Sequence, residues 1–357
     1  MLKRIALIAV FTGLFVSCHN KLEILAPYKE SVAVYGLLDP NDTAQYIRIE
    51  RVYLGEGNAL TMAQNQDSIY FKPGDLKVTL QRFKGGNRVS VDNPYSSNME
   101  IVLSETYIQT QTGVFNPNQL LYKTNHAIYE DSQYQLVIHS NKTGKEFTSS
   151  KVSLIGDFKS HFIYSSYPDY SVINTNPSPI SIVPSANGTV NCKFASPVNA
   201  NVCGIIMRFF YTEYPGAGPI VSKYVDFDLG HEYLSGVNGG ETVELSFLGD
   251  AMIQNIARAI KVDPTLSHRT ADSVQFRVNG GGYDISLYNQ VNSTGTLSQS
   301  KPTYTNIDGG VGVFSCRKEY ILTKKINTQQ CLDRLASDDV TCKLLFYGWG
   351  GSTLPCQ

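Results

Sequence analysis

The sequence predicts a mainly β protein: an N-terminal immunoglobulin-like β-sandwich, followed by an α+β domain with one main amphipathic helix and a disulfide-bonded C-terminal region. Three observations carry that expectation. Apolar and polar residues alternate with period two from Ser31 onward, the signature of strands buried on one face. Turn residues recur between the alternating runs, giving about seven strands over roughly 125 residues, the spacing of an immunoglobulin-like sandwich. The six cysteines beyond Cys18 all lie after residue 190.

Composition narrows the class. The 357 residues carry 30 basic and 31 acidic groups, a net charge of -1, with 42% hydrophobic residues. Disorder needs less apolar material and more unbalanced charge. Nucleic acid is not an expected partner either, because affinity for phosphate comes from a surplus of Lys and Arg that displaces counterions. At about 150 residues per domain, the length predicts two domains.

The chain opens with Lys3 and Arg4, then the apolar run Ile5 to Phe11, uncharged as far as Val16. A permanent membrane helix takes about 20 apolar residues, so this run reads as the core of a signal peptide. It ends Leu14-Phe15-Val16-Ser17-Cys18, which resembles the lipobox of bacterial lipoproteins, with Phe15 where leucine is usual. That resemblance implies residues 1–17 as signal peptide, Cys18 as the lipid-attachment residue, and membrane association through the N-terminal lipid. Acyl chains contribute about 0.8 kcal/mol per buried methylene and hold a protein on a bilayer without a spanning helix. The expected location is the outer membrane, on either the periplasmic or the cell-surface face. Residues 18–30 read as a tether.

Within 31–157, Ser31 to Leu38 and Gln45 to Leu54 alternate around the stop Asp39-Pro40-Asn41-Asp42 and read as antiparallel neighbours. Leu76 to Phe83 and Arg88 to Val91 form a hairpin around Lys84-Gly85-Gly86-Asn87. Further strands are expected at Glu100–Leu103, Tyr134–His139 and Glu146–Val152. Asn58 to Asn65 lacks alternation, carries helix formers, and reads as a short helix in a loop.

Residues 158–357 form the second expected domain. Ser165 to Pro184, with four prolines among Asn and Ser, reads as an extended link. Strands follow at Val190–Phe194, Gly204–Tyr211, Ile220–Phe227 and Val243–Phe247. Phe247 to Lys261 repeats apolar residues every three to four positions and ends before Pro264, which predicts the main helix. Ser273 to Val278 is a strand broken by Gly280-Gly281-Gly282, and Tyr283 to Val291 reads as strand or short helix.

Six cysteines in an exported chain predict three disulfides. Cys192 and Cys203 flank Pro197-Val198, where a hairpin turn would set them opposite each other; that bond would stabilise by roughly 3 kcal/mol in the chain-entropy model. The pairing of Cys316, Cys331, Cys342 and Cys356 stays open. No Cys-x-x-Cys pair occurs and the histidines lack ligand spacing, so no metal is expected, nor any other cofactor.

Tyr304-Thr305-Asn306-Ile307-Asp308-Gly309-Gly310-Val311-Gly312-Val313-Phe314 is the most distinctive segment. Together with the lipobox, Val34-Tyr35-Gly36-Leu37-Leu38-Asp39 and Phe194-Ala195-Ser196-Pro197-Val198-Asn199-Ala200, it resembles a family of Bacteroidota envelope lipoproteins. That family is a domain of unknown function with an N-I-x-G-G-x-G-x-F motif near the end and a β-sandwich near the start. The cysteine-rich tail from Cys316 departs from its pattern. The resemblance implies an address and a fold, brings no catalytic residue, and suggests a partner, since relatives accompany TonB-dependent outer-membrane receptors. Read physically, the glycines of Gly309-Gly310-x-Gly312 serve a positive-φ turn and close backbone packing; a phosphate loop would need a third glycine where Ser315 stands and a helix behind it, so no nucleotide is expected.

Catalytic motifs find little support. No Gly-x-Ser-x-Gly elbow occurs, His231-Glu232 lacks the second histidine of a zincin, and Ser298-Gln299-Ser300-Lys301 stands in a polar stretch before Pro302. Asp226, Asp228 and Glu232 form the best carboxylate cluster, conceivable for calcium or glycoside chemistry, yet a solvated loop explains them better, since nothing nearby suggests a desolvating pocket. Tyr164, Tyr167, Tyr170, Tyr211, Tyr214, Tyr224 and Tyr233 cluster where the second domain begins; such rings serve sheet cores or contact surfaces. The expected role is a non-catalytic binding or assembly module, an accessory to an outer-membrane nutrient receptor. The alternatives are a surface hydrolase on glycans or peptides and a structural adhesin.

Overall fold

The computed structural model describes residues 30–52, 69–93, 95–109, 118–158, 162, 171–184, 188–293 and 304–356. The signal peptide, the tether up to residue 29 and the expected helix at Asn58 to Asn65 lie outside the described residues.

The protein is mainly β, and its first half is a sandwich. One sheet runs β1 (Val32–Leu38), β2 (Gln45–Arg51), β7 (Asn118–Thr124), β6 (Ser104–Gln109). The other runs β9 (Glu146–Ser149), β8 (Gln133–Ser140), β3 (Leu76–Lys84), β4 (Asn87–Val89), with β5 (Ile101–Val102) on β3 and β10 (Val152–Ser153) on β8. In immunoglobulin lettering these orders are A-B-E-D and G-F-C-C′. Alternation produces the core: Val32, Val34, Ile47 and Ile49 from one sheet and Val78, Leu80, Leu136 and Ile138 from the other share one buried cluster. The β3–β4 turn uses Gly85 and Gly86, both at positive φ, as the sequence predicts. At the start of β8 the buried Tyr134 hydroxyl accepts a hydrogen bond from Tyr129 N at 2.9 Å. This is the tyrosine corner that fixes the crossing between strands E and F in immunoglobulin-like domains.

The division at residues 157 and 158 is not where the sandwich ends. β18 (Ile307–Asp308) adds to β9 in the second sheet, and β19 (Val311–Lys325) lies parallel to β1 in the first, with Ala33 opposite Val311 and Leu38 opposite Cys316. The glycine motif is the link between them. Gly309 takes φ +71° in the turn that leaves one sheet for the other. A Cβ on Gly310 would stand 2.8 Å from Val32 O, and one on Gly312, at φ +105°, would clash with the Val34 carbonyl oxygen. Asn306 secures the approach: its Oδ1 accepts from Phe314 N at 2.9 Å while its Nδ2 donates to Phe314 O and to Ser150 Oγ. The glycines are thus used up in packing β19 against β1.

Past Cys316 the same strand changes partners and extends the first sheet to eight strands. Residues 317–325 of β19 pair with β17 (Leu266–Gly281), followed by β13 (Val202–Pro215) and the edge strand β14 (Val221–Tyr233). One strand therefore runs through both halves of the molecule. β13 alternates and buries Cys203, Ile205, Met207, Phe209 and Tyr211 on one face. The core on that face includes residues of α1 (Gly249–Ala259) and α3 (Gln329–Ser337), and of the short pairs β11 (Thr189–Val190) with β16 (Phe247–Leu248) and β12 (Lys193–Ala195) with β15 (Thr242–Glu244). Residues 171–184, read as a link, hold no helix or strand but are packed rather than extended through solvent: Ile173, Ile182 and Val183 are fully buried.

Three α-helices stand among the described residues, the expected main one included. α1 is the expected one and buries Met252, Ile253 and Ile256. α2 (Tyr283–Ser293) resolves the ambiguity at 283–291 in favour of helix. α3 starts at Thr328, whose hydroxyl accepts from Cys331 N at 3.3 Å, an N-cap that leaves a visible sequence signal. Arg334 of α3 bonds both Asp250 of α1 and the Pro184 carbonyl. No helix of the described residues is long and apolar enough to cross a membrane.

Candidate functional site

Two cavities open where β19 changes partners from β1 to β17, and α2 lines both. The Gly280-Gly281-Gly282 run lets the helix come close. A Cβ on Gly282 would stand 2.6 Å from Cys316 Sγ, one on Gly281 2.7 Å from Val202 Cγ1, and one on Gly280 2.9 Å from Phe158 Cζ. Gly282 N then donates to Cys316 O and Ile285 N to Ser315 Oγ, so the first turn of α2 is bonded directly to β19.

Ile285, Tyr288, Asn289 and Asn292 recur at helical spacing and share one side of α2, facing two adjoining cavities. The first, about 520 Å³, is lined by Tyr35, Arg48, Glu50, Tyr288, Asn292 and Tyr304 among others. The second, about 600 Å³, includes Tyr35, His231, Tyr233, Asn289, Asn292 and Arg317. Tyr35 and Asn292 belong to both, so the two form one cleft around the helix. Each volume suits a small-molecule or oligomer subsite. A third cavity, about 390 Å³, lies beyond Tyr304 and includes Ser150, Lys151, Asn201, Tyr283, Asp284 and Asn306.

The charges in the cleft are matched within the protein. Arg48 Nε donates to Glu50 at 2.8 Å. Arg317 donates to Asp42 at 3.0 Å and stands 3.7 Å from Asp39, whose carboxyl pKa is pushed up by burial. The Tyr304 hydroxyl donates to Asp284 Oδ1 at 2.7 Å, and burial together with that carboxylate raises its pKa well above the phenol value. Tyr35 and Tyr233 expose 48% and 40% of their surface, which leaves ring area open to a ligand.

The carboxylate cluster separates on β14. Asp226 takes a bidentate pair from Arg208 at 2.7 and 2.8 Å, and this hydrogen-bonded cation holds its pKa below the usual carboxylate value, the opposite of what a general acid needs. Asp228 accepts from Gly230 N, and Glu232 from Glu244 N. Of this run His231 and Tyr233 line the cleft, their rings edge to face at 5.1 Å. Among the described residues no group of three or more His, Cys, Asp or Glu side chains could hold a metal ion. Tyr211 stacks on Phe209 in the core, Tyr214 stacks on His268, and Tyr224 lies under the Arg208 guanidinium; Tyr164, Tyr167, Tyr170 and the Ser298 to Lys301 run fall outside the described residues.

The cysteine expectations need correction. Cys192 and Cys203 are not bonded to each other; both are buried thiols. The reason is pairing: β12 after Cys192 joins β15, and β13 with Cys203 joins β14 and β17, so no hairpin sets them face to face. Cys316 and Cys331 are buried thiols too, and the observed disulfide is Cys342–Cys356. Burial raises the thiol pKa of all four, that of Cys203 and Cys316 to about 12. Thiol titration without reductant should therefore find none of the four reactive in the folded protein and all of them after denaturation. A further thiol then would be that of Cys18 lacking its lipid; fewer would show that additional disulfides form.

No protein family and no curated protein matches the chain. Among solved structures, the C-terminal globular domain of an oligosaccharyltransferase from Pyrococcus abyssi shows a likeness at 11% identity and a TM-score of 0.21, covering 63% of this chain and 42% of that one. So slight a likeness carries no argument about function.

Proposed function

We propose that the protein is a lipid-anchored, non-catalytic binding or assembly module of the outer membrane, held by an acylated Cys18 and accessory to a TonB-dependent nutrient receptor. The observation that supports binding is the cleft around α2. Both halves of the chain build it, β19 running through both halves holds it in shape, and its charges are already paired with one another, so it offers surface for recognition. The address rests on the Lys3-Arg4 start, the short apolar core and the Ser17-Cys18 junction.

Affinity capture of the tagged full-length protein from solubilised membranes tests the reading. Recovery of an outer-membrane β-barrel protein, lost when Cys18→Ala releases the chain from the membrane, is the expected result. Recovery of the protein alone from both forms would overturn it.

A further inference from the structure

We propose that the cleft around α2 binds a neutral glycan; this names a ligand class for the binding-module reading and rests on it.

Charge comes first. Arg48 is matched by Glu50, and Arg317 by Asp42 and Asp39. An anionic or cationic ligand would have to break one of these pairs to find a counter-charge. A neutral ligand leaves them intact and bears no desolvation cost for a charge of its own.

Next come the rings. Tyr35 lines both cavities and is half exposed, Tyr288 lines the first and Tyr233 the second. A tyrosine face is electron-rich, and the C–H-bearing face of a pyranose is its electropositive counterpart. Three rings along one cleft give successive platforms for the residues of an oligosaccharide.

The remaining polar capacity is of the matching kind. The side-chain amides of Asn289 and Asn292, one helical step apart on the cleft side of α2, meet no hydrogen-bond partner among the described residues. Each amide offers two donors and an acceptor, the set that a pair of neighbouring hydroxyls satisfies. In the third cavity the donors are largely spent: Ser150 Oγ and the Tyr304 hydroxyl donate to Asp284, and Asn306 Nδ2 to Ser150 and Phe314. Lys151, the cation on that wall, sets its ammonium 3.9 Å from the Phe83 ring centroid. Asn201, 7% exposed, lines the same cavity, and its Oδ1 accepts no hydrogen bond from any described residue. A buried acceptor without a donor costs about 1–3 kcal/mol. A hydroxyl brings the missing donor, and a carboxylate or phosphate does not.

Isothermal titration of the full-length protein in detergent, with neutral hexasaccharides of glucose, xylose, mannose and N-acetylglucosamine as probes, tests this. At least one should bind. Tyr35→Ala should weaken it by about tenfold or more, as loss of a central aromatic anchor does. Asn292→Ala, an exposed helix position where misfolding is not at issue, should weaken it several-fold. Since no net charge is involved, raising salt from about 50 to about 500 mM should leave the affinity within about twofold.

If no hexasaccharide binds while membrane capture still recovers a receptor, the glycan inference falls and the binding-module reading stands. Binding that survives both substitutions overturns the placement in this cleft. Release of new reducing ends from a bound probe would keep the ligand class and remove the non-catalytic reading.

Discussion

Replacing Gly312 by alanine should unfold most of the protein, because the methyl group has nowhere to go. At φ +105° an L side chain is already strained, and the new Cβ would clash with the Val34 carbonyl oxygen, a backbone atom that cannot swing aside. Relief requires β19 to move away from β1 along the parallel ladder that runs from Ala33–Val311 to Leu38–Cys316. Residues 311–316 of that strand pair with β1 and residues 317–325 with β17, so the disturbance reaches both parts of the eight-stranded sheet. The loss should exceed about 4 kcal/mol, the range reserved for a backbone conflict in a core, against a total stability of about 5–15 kcal/mol. Gly350→Ala is the control, since no atom lies within 4 Å of its Cβ position and its φ is ordinary; it should change stability by less than about 0.5 kcal/mol. Thermal unfolding followed by circular dichroism reads both. A melting temperature for Gly312→Ala within two or three degrees of the parent would refute this account of the glycine motif.

The same motif shows what the sequence makes legible. Gly309, Gly310 and Gly312 announce a close backbone approach, because only glycine survives there, but nothing local says that the neighbour is β1, on the far side of the chain. Alternation in β1, β2 and β13 is plain because each buries one face. β7 is harder to read: Leu120, Leu121 and Tyr122 are consecutive, so no period of two stands out. The pairing expected of Cys192 and Cys203 fails for a related reason. A turn at Pro197 is a local property, whereas β12 pairs with β15 and β13 with β17, partners some fifty to eighty residues away along the chain. At the cleft, the cluster of tyrosines points to Tyr233 but not to Tyr35. Asn289 and Asn292 emerge only once 283–293 is known to be helical, since helical spacing is what sets them on one side.

Removing Arg269 should cost about 3–5 kcal/mol near neutral pH, the range for a buried ion pair that loses one partner. This side chain is 1% exposed. Its Nε and Nη2 donate to Glu213 at 3.1 and 2.8 Å, Nη1 donates to Leu344 O at 2.7 Å, and Nη2 also reaches Lys261 O. It thereby ties β13, the end of α1 and the disulfide-closed tail to one point on β17. Arg269→Lys should recover little, because a single ammonium cannot reproduce the planar fork that meets these acceptors together. Acid should change the size of the effect. Burial works against the Glu213 carboxylate, yet the hydrogen bonds from Lys223 and Arg269 outweigh it and hold its pKa below the ordinary 4.5. A group depressed on folding contributes stability above its unfolded pKa and loses that contribution as pH falls through the folded value. In Arg269→Ala, Glu213 keeps its burial and loses two hydrogen bonds, so its proton becomes welcome instead of costly. The gap between parent and variant in urea unfolding should therefore be widest near pH 7 and narrow as the pH drops below about 4.5. Leu344 O and Lys261 O lose their donor at every pH, which sets the floor to which the gap shrinks; a gap constant across that window would place the whole cost on those two carbonyls and none on Glu213.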